Sequence, residues 1–181
     1  MPRAPNAFHI VTRWTVAATI EEVAAVLNNP IALPDWWGDV YLSTEIIDPG
    51  DASGIGRKVA IQSKGWLPYH LRWIATLVES RSPHGWTVDA TGDLDGHGVW
   101  TLSQNGPIAE IEYDWQVRAE RPLLRLLSPV LAPVFAWNHR WAMAKGEEGL
   151  RQEIARRRLA QDRPPLTSDL SRLIHPASSH S

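Results

Sequence analysis

Apolar and polar residues alternate through much of the chain, and this two-residue period predicts a β-sheet. The clearest run is residues 108–119, where Ala109, Ile111, Tyr113 and Trp115 share one face and acidic residues occupy the other. This pattern is typical of a strand with one buried and one wet face, so the acids are predicted to be solvated. Strand-like runs lie at 8–17, 40–47, 57–64, 69–80, 85–91, 98–104 and 108–119.

Short linkers rich in glycine and proline separate these runs. Pro49-Gly50 and Asn105-Gly106-Pro107 are examples, and residues 92–98 form another glycine-rich linker. Linkers of this length favour hairpins. The strand-like runs are therefore predicted to form an antiparallel meander.

A helical period interrupts the strands after the first run. Apolar residues at helical spacing predict a short helix over 20–28, capped by Thr19. A further turn starts at Pro34 and contains the adjacent Trp36 and Trp37. Because neighbouring residues point in different directions, one of these two indoles is expected to line or cover the opening of a cavity.

The last part of the chain has a helical period. This period begins at Ser128, which can cap a helix, and predicts one long helix reaching Arg158. The basic run 156–158 is predicted to be a solvated helix end. The predicted apolar stripe comprises Val130, Val134, Trp137, Trp141 and Ala144.

The order of these elements predicts the fold class. A sheet must bury its apolar face, and only the last helix is long enough to cover this one. We expect an α+β fold in which a curved seven-stranded antiparallel sheet wraps around the C-terminal helix. Two short helices after the first strand then close one end of an internal cavity. The domain is predicted to span 8–160, with an extension over 1–7 and a mobile tail over 161–181.

Composition removes several classes of function. The net charge is −2 over 181 residues, so no nucleic-acid partner is expected. There is no cysteine, and no histidine pair has metal-ligand spacing, so neither a metal nor a cofactor is expected. No apolar run is long enough for a signal peptide or a membrane span, which favours a cytoplasmic protein. The ten tryptophans suit the walls of a partly wet pocket.

Several stretches resemble a known superfamily. They are DWWGDVYLSTEIIDPGD (35–51), GWLPYHLRW (65–73), GDLDGHGVWTL (92–102), EYDWQVRAERPLLRLLSP (112–129) and NHRWAMAKGEEGLRQE (138–153). They are similar to the START and birch-pollen-allergen superfamily, also called SRPBCC, and in particular to its polyketide cyclase/dehydrase branch. The resemblance implies the helix-grip fold. Members bind hydrophobic ligands, carry lipids, cyclise or dehydrate polyketide intermediates, or act as protein co-factors.

Large residues on the predicted inner faces are the candidates for ligand binding. They are Trp36, Trp37, Tyr69, Leu71, Trp73, Trp100, Tyr113, Trp115, Val134, Trp137, Asn138 and Trp141.

Cyclisation or dehydration needs a base that takes an acidic α-proton and a donor for the developing oxyanion. The catalytic candidates are Tyr69, Asn138 and His97. Each also has a structural interpretation: Tyr69 as a wall residue, Asn138 as the polar residue nearest the helix stripe, and His97 as an exposed turn residue. His139 is expected to face outward or to lie at the rim.

Three functions therefore remain open. The first is a protein that binds a lipid-like, polyketide-like or aromatic molecule in an indole-lined cavity. The second is a cyclase or dehydratase that uses general acid/base catalysis there. The third is a protein-interaction module with a vestigial cavity. The sequence does not indicate the oligomeric state.

Overall fold

The computed structural model describes residues 7–66, 69–119 and 122–162. Side chains are described in these ranges except at 7, 8, 119, 122–132, 134 and 135. The predicted extension and the predicted mobile tail lie almost entirely outside the described residues, so both stay predictions. No helix within the described ranges combines the length and the apolar character needed to cross a bilayer.

One antiparallel sheet forms the body of the protein. Its strands are β1 (Ala7–Val16), β2 (Tyr41–Asp48), β3 (Lys58–Lys64), β4 (His70–Ser80), β5 (Gly85–Gly92), β6 (Leu94–Asn105) and β7 (Ile108–Ala119). The spatial order of the seven strands is β1-β7-β6-β5-β4-β3-β2. Consecutive strands from β2 to β7 are neighbours, as hairpin connections require, and β1 pairs with β7. The predicted antiparallel sheet is confirmed.

Strand β6 begins earlier than the pattern predicts. Residues 92–98 were expected to form a turn, but β6 starts at Leu94 and pairs with β7 from there onward. The glycines in this part of the strand weaken its sequence signal. A Cβ atom at Gly98 would lie 2.6 Å from the Tyr113 hydroxyl and 2.8 Å from the Trp115 ring. Glycine is needed there because large rings cross the strand.

Helix α1 (Ile20–Leu27), a 3₁₀ turn (Pro30–Ala32) and helix α2 (Leu33–Trp36) connect β1 to β2. Helix α1 begins with a capping box, in which Thr19 and Glu22 each bond the other's backbone N–H. The long helix α3 spans Pro122–Gln161, so it begins before the predicted cap at Ser128. Proline is favourable at this first position because its missing N–H would have no partner there.

The buried face of α3 differs from the predicted stripe. Met143, Gly146 and Leu150 are buried, whereas Ala144 is exposed and Trp137 is 41% exposed. The predicted stripe included the tryptophans of α3 because they are large and apolar, and it is therefore rotated away from the face that the structure buries. The actual face contains Gly146 and Gly149, which carry no hydrophobic signal.

Trp36 and Trp37 are both buried, with 9% and 4% of their surface exposed. Their rings stack with centroids 5.3 Å apart, and they pack against α3. A Cβ at Gly146 would overlap the Trp37 indole, and a Cβ at Gly149 would overlap the carbonyl oxygen of Trp36. Trp37 follows the end of α2 with non-helical backbone angles, so both side chains can face α3. Trp37 also lines the internal cavity, whereas Trp36 packs under α3 without reaching it.

The arginine run at the end of α3 is attached to α1 rather than simply solvated. Arg157 donates a hydrogen bond of 3.1 Å to the carbonyl oxygen of Ala25. The Arg158 guanidinium binds both carboxylate oxygens of Glu22, at 2.6 and 2.7 Å. These contacts hold the C-terminal end of α3 against the helix that precedes the sheet.

Candidate ligand-binding cavity

A cavity of 160 Å³ lies between the concave face of the sheet and α3. The strands contribute its aromatic side, and the helix contributes Asn138, His139, Ala142 and Met143. These four positions fall on one face of a helix because their spacing alternates between one and three residues. The cavity is therefore built from the two elements that the fold wraps together.

Stacked rings form the sheet side of the cavity. Trp100 stacks on Tyr113 with centroids 4.1 Å apart, and Tyr113 stacks on Trp115 at 5.5 Å. Tyr113 and Trp115 share a face because they are two residues apart on β7, and Trp100 pairs with Tyr113 across the ladder. Such a wall offers flat apolar surface of the kind that aromatic and lipid-like molecules contact.

Eight of the predicted ligand-binding residues lie around this cavity. They are Trp37, Tyr69, Leu71, Trp73, Trp100, Tyr113, Trp115 and Asn138. The structure does not bring Trp36, Trp137 or Trp141 to its wall: Trp36 packs under α3, Trp137 is exposed and Trp141 packs against the core. The side chain of Val134 lies outside the described part of the structure.

The structure separates the three predicted catalytic residues. Tyr69 and Asn138 line the cavity. His97 instead lies on the outer face of the sheet, where its Nδ1 is 2.7 Å from Asp89 Oδ1. The reason is strand alternation: His97 is paired with Gln116, whose neighbours Trp115 and Val117 both point inward.

Asn138 joins the helix to the loop after β3. Its Oδ1 accepts a hydrogen bond of 2.7 Å from the backbone N–H of Trp66. Gly65 packs against the same amide, because a Cβ there would overlap it. Asn138 therefore holds the loop beside the cavity, in addition to lining it.

His139 lies in the cavity wall, contrary to the expectation that it faces outward. Its Nε2 is 3.3 Å from Thr12 Oγ1, which orients the imidazole ring. Burial, with a smaller contribution from Arg140, lowers the pKa of His139 to about 4. The imidazole is therefore neutral at pH 7, and one ring nitrogen can accept a proton. No sequence signal singled out His139, because the predicted stripe followed the tryptophans and left His139 off it.

Two phenols, the half-buried Tyr41 and the buried Tyr113, also line the cavity. Burial raises the pKa of Tyr41 to about 12 and that of Tyr113 well above its usual value. Both hydroxyls therefore stay protonated, and neither has a hydrogen-bond partner among the described residues. They can donate to an acceptor inside the cavity. The sequence pattern did not single out Tyr41, because it directly follows the turn after α2.

A second chamber of 100 Å³ adjoins the first. The two share the side chains of Trp37, Tyr41, Trp73, Trp100 and Tyr113, so these rings border both chambers. The second chamber extends toward α1 and the start of β3.

The sheet, the enclosed helix and the cavity between them define a helix-grip protein. The chain belongs to the family described as polyketide cyclase / dehydrase and lipid transport, whose sequence profile matches residues 7–155. Membership of this family supports a ligand-binding or cyclase role.

Solved structures share this fold at low sequence identity. The Zhui aromatase/cyclase from Streptomyces sp. R1128 is 16% identical with a TM-score of 0.68, covering 86% of this chain and 98% of that one. TTHA0849 from Thermus thermophilus is 14% identical with a TM-score of 0.66, covering 86% and 100%. A START superfamily protein from Mycobacterium smegmatis is 13% identical with a TM-score of 0.63, covering 82% and 97%. Comparison with curated proteins gives no significant match.

Proposed function

We propose that the protein binds an apolar or aromatic small molecule between the sheet and α3, in a cytoplasmic setting. The observation that carries this proposal is the cavity of 160 Å³ walled by stacked rings. Moving apolar surface out of water contributes about 25 cal/mol per Å², so a ligand with two fused or linked rings gains several kcal/mol there. The phenols supply donors for one acceptor on that ligand.

The first test of binding is native mass spectrometry of the freshly purified protein, compared with its denatured mass. A co-purified apolar molecule identifies the ligand class directly. The second test is calorimetric titration with 4-acetylbiphenyl, an uncharged two-ring probe.

A variant that fills the cavity tests the location of binding. Ala142 lines the cavity, so Ala142→Phe should weaken binding of 4-acetylbiphenyl at least tenfold. Ala144 lies on the same helix but is exposed, so Ala144→Phe is the matched control and should change affinity less than twofold. Equal affinity of Ala142→Phe and wild type would place the binding site elsewhere.

A second candidate function is acid/base catalysis of cyclisation or dehydration in the same cavity. The observation that favours it is a neutral imidazole, His139, in one wall with two protonated phenols. His139 would accept a proton from a carbon next to a ketone. Tyr41 or Tyr113 would donate a hydrogen bond to the enolate oxygen that forms. Tyr69 and Asn138 stay proposed as further polar contacts to the substrate.

Isotope exchange tests this chemistry without knowledge of the natural substrate. The probe is 2-tetralone in D₂O, and the readout is deuterium incorporation at the carbon next to its ketone. We expect wild type to accelerate the exchange, and His139→Gln to lose that acceleration while affinity for the probe changes only a few-fold. Equal exchange rates for the variant and wild type would rule out His139 as the base. Tyr113→Phe should slow the exchange without abolishing it.

A further inference from the structure

The second chamber has a charged residue in an otherwise uncharged wall. Arg57 is the one charged side chain among the residues that line this chamber, all of which are described. Its other walls are apolar side chains of α1, β3, β4 and β5, together with the rings shared with the first chamber. Asn28 and Pro30 are half-buried rather than buried, so they mark the side where this chamber meets solvent.

Strand alternation explains why Arg57 faces inward. Val59, Ile61 and Ser63 point to the buried side of β3, and all three line one of the two chambers. Arg57 has the same parity and lies just before the strand begins, so its side chain reaches the lining of the second chamber. The backbone supports this placement, because Leu77 N–H donates to the Arg57 carbonyl oxygen at 2.9 Å.

The Arg57 guanidinium has no ion-pair or hydrogen-bond partner in the described part of the chain. The acid in the preceding turn is already engaged: Asp51 Oδ1 accepts from the Ser53 N–H, the Ser53 hydroxyl and the Ile55 N–H. The adjacent Lys58 points outward and is 4.0 Å from Asp48. A half-buried guanidinium without a partner, at the edge of an apolar chamber, fits an anionic group brought by a ligand.

We propose that Arg57 binds the carboxylate end of the ligand in the second chamber, while the ligand's ring body lies in the adjoining first chamber. This inference rests on the proposed binding function and adds the chemical class of the ligand, an aromatic or aliphatic monocarboxylate. A carboxylate matches the planar fork of a guanidinium with two parallel hydrogen bonds. The single cation favours one negative charge over the two of a phosphate monoester.

A matched pair of probes tests this assignment. Biphenyl-4-carboxylate and 4-acetylbiphenyl have the same ring body and differ in charge at one end. Their affinities are measured by calorimetric titration for wild type, Arg57→Gln, Arg57→Lys and Arg72→Gln. Arg72 is the control, because it is an exposed arginine on β4 that does not line either chamber. Thermal unfolding of each variant establishes that it is folded.

The expected result is a charge-specific loss. Arg57→Gln should weaken biphenyl-4-carboxylate at least tenfold and 4-acetylbiphenyl less than twofold. Arg57→Lys should recover part of the carboxylate affinity, and Arg72→Gln should resemble wild type. Equal affinity of Arg57→Gln and wild type for the carboxylate would overturn the assignment, as would an equal loss for both probes. If 4-acetylbiphenyl still binds in those cases, the proposed binding function stands; if neither probe binds wild type, both proposals fail.

Discussion

Two pairs of tryptophans meet at α3, one packed against it and one that includes its own residue Trp137, and they differ in nearly every respect. Trp36 and Trp37 are adjacent in sequence, stack with an interplanar angle of 30°, and are buried. Trp66 and Trp137 are distant in sequence, meet edge-to-face at 85°, and are 61% and 41% exposed. The first pair is packed into the core, and the second lies on the surface beside the cavity.

The difference comes from the residues of α3 that lie beside each pair. At Gly146 and Gly149 the helix has no side chains, so the buried indoles lie directly on its backbone. At the other pair, Asn138 bonds the Trp66 backbone and brings the loop to the helix without covering the rings. Both Asn138 and Gly65 line the cavity, so the exposed pair is next to its wall. A tryptophan's role in this protein therefore depends on the residues it packs against.

The largest expected effect separates the two pairs by stability. Trp37→Ala removes a buried ring that contacts Trp14, Trp36 and Tyr41, and should lower the free energy of unfolding by about 3–5 kcal/mol. Trp137→Ala removes a half-exposed ring and should cost about 1 kcal/mol or less. Urea denaturation measures both. Comparable losses for the two variants would contradict the assignment of one pair to the core and the other to the surface.

The second prediction tests Gly146, one of the two α3 glycines that lie against the buried pair. Alanine is ordinarily preferred over glycine inside a helix by about 1 kcal/mol. Gly146→Ala should nevertheless destabilise the protein by about 2 kcal/mol, because the added Cβ overlaps the Trp37 indole. The control is Ala144→Gly, an exposed position where the propensity term alone should cost about 1 kcal/mol. A stabilised Gly146→Ala variant would show that the indole can move away at little cost.

The same glycines explain what the sequence could and could not predict. The strands and the short helices carry strong local signals, namely alternation, turns and a capping residue. Apart from the earlier start of β6, their predicted positions nearly match the structure. The buried side of α3 has a weaker signal, because Gly146 and Gly149 contribute space rather than hydrophobicity. The predicted stripe positions 137 and 141 lie one residue before Asn138 and Ala142, which line the cavity, so the prediction placed both tryptophans inside and His139 outside. Strand alternation, in contrast, correctly gave the inward direction of Tyr113 and Trp115.

The third prediction concerns His139, which lies two residues from the exposed Trp137 and yet is largely buried. In the unfolded chain its pKa is near 6.5, and in the folded protein it is about 4. Between these values the unfolded state binds the proton and the folded state does not, so stability falls as the pH is lowered from 6.5 toward 4. The loss specific to His139 should be about 1–3 kcal/mol.

Comparison with His139→Gln isolates this contribution from the other histidines. Urea denaturation of both proteins at several pH values should show a steeper loss for wild type in that range. Parallel curves for the two proteins would mean that the imidazole is solvated, and the region beside the exposed pair would then be more open than the structure indicates.

The smallest expected effect lies at the end of α3 beyond the buried pair. The Arg158 guanidinium holds the pKa of Glu22 at about 2, chiefly through its hydrogen bonds to that carboxylate. Both side chains are partly exposed, so solvent screens the pair, and Arg158→Gln should cost only about 0.5 kcal/mol at pH 7. Because the folded-state pKa is lowered, this stabilisation is present above pH 4.5 and disappears as the pH falls toward 2.

NMR titration of Glu22 should show its pKa rising in Arg158→Gln. Arg140→Gln, an exposed control on the same helix, should leave the Glu22 pKa unchanged. An unchanged Glu22 pKa in Arg158→Gln would mean that the contact between α3 and α1 depends on packing alone.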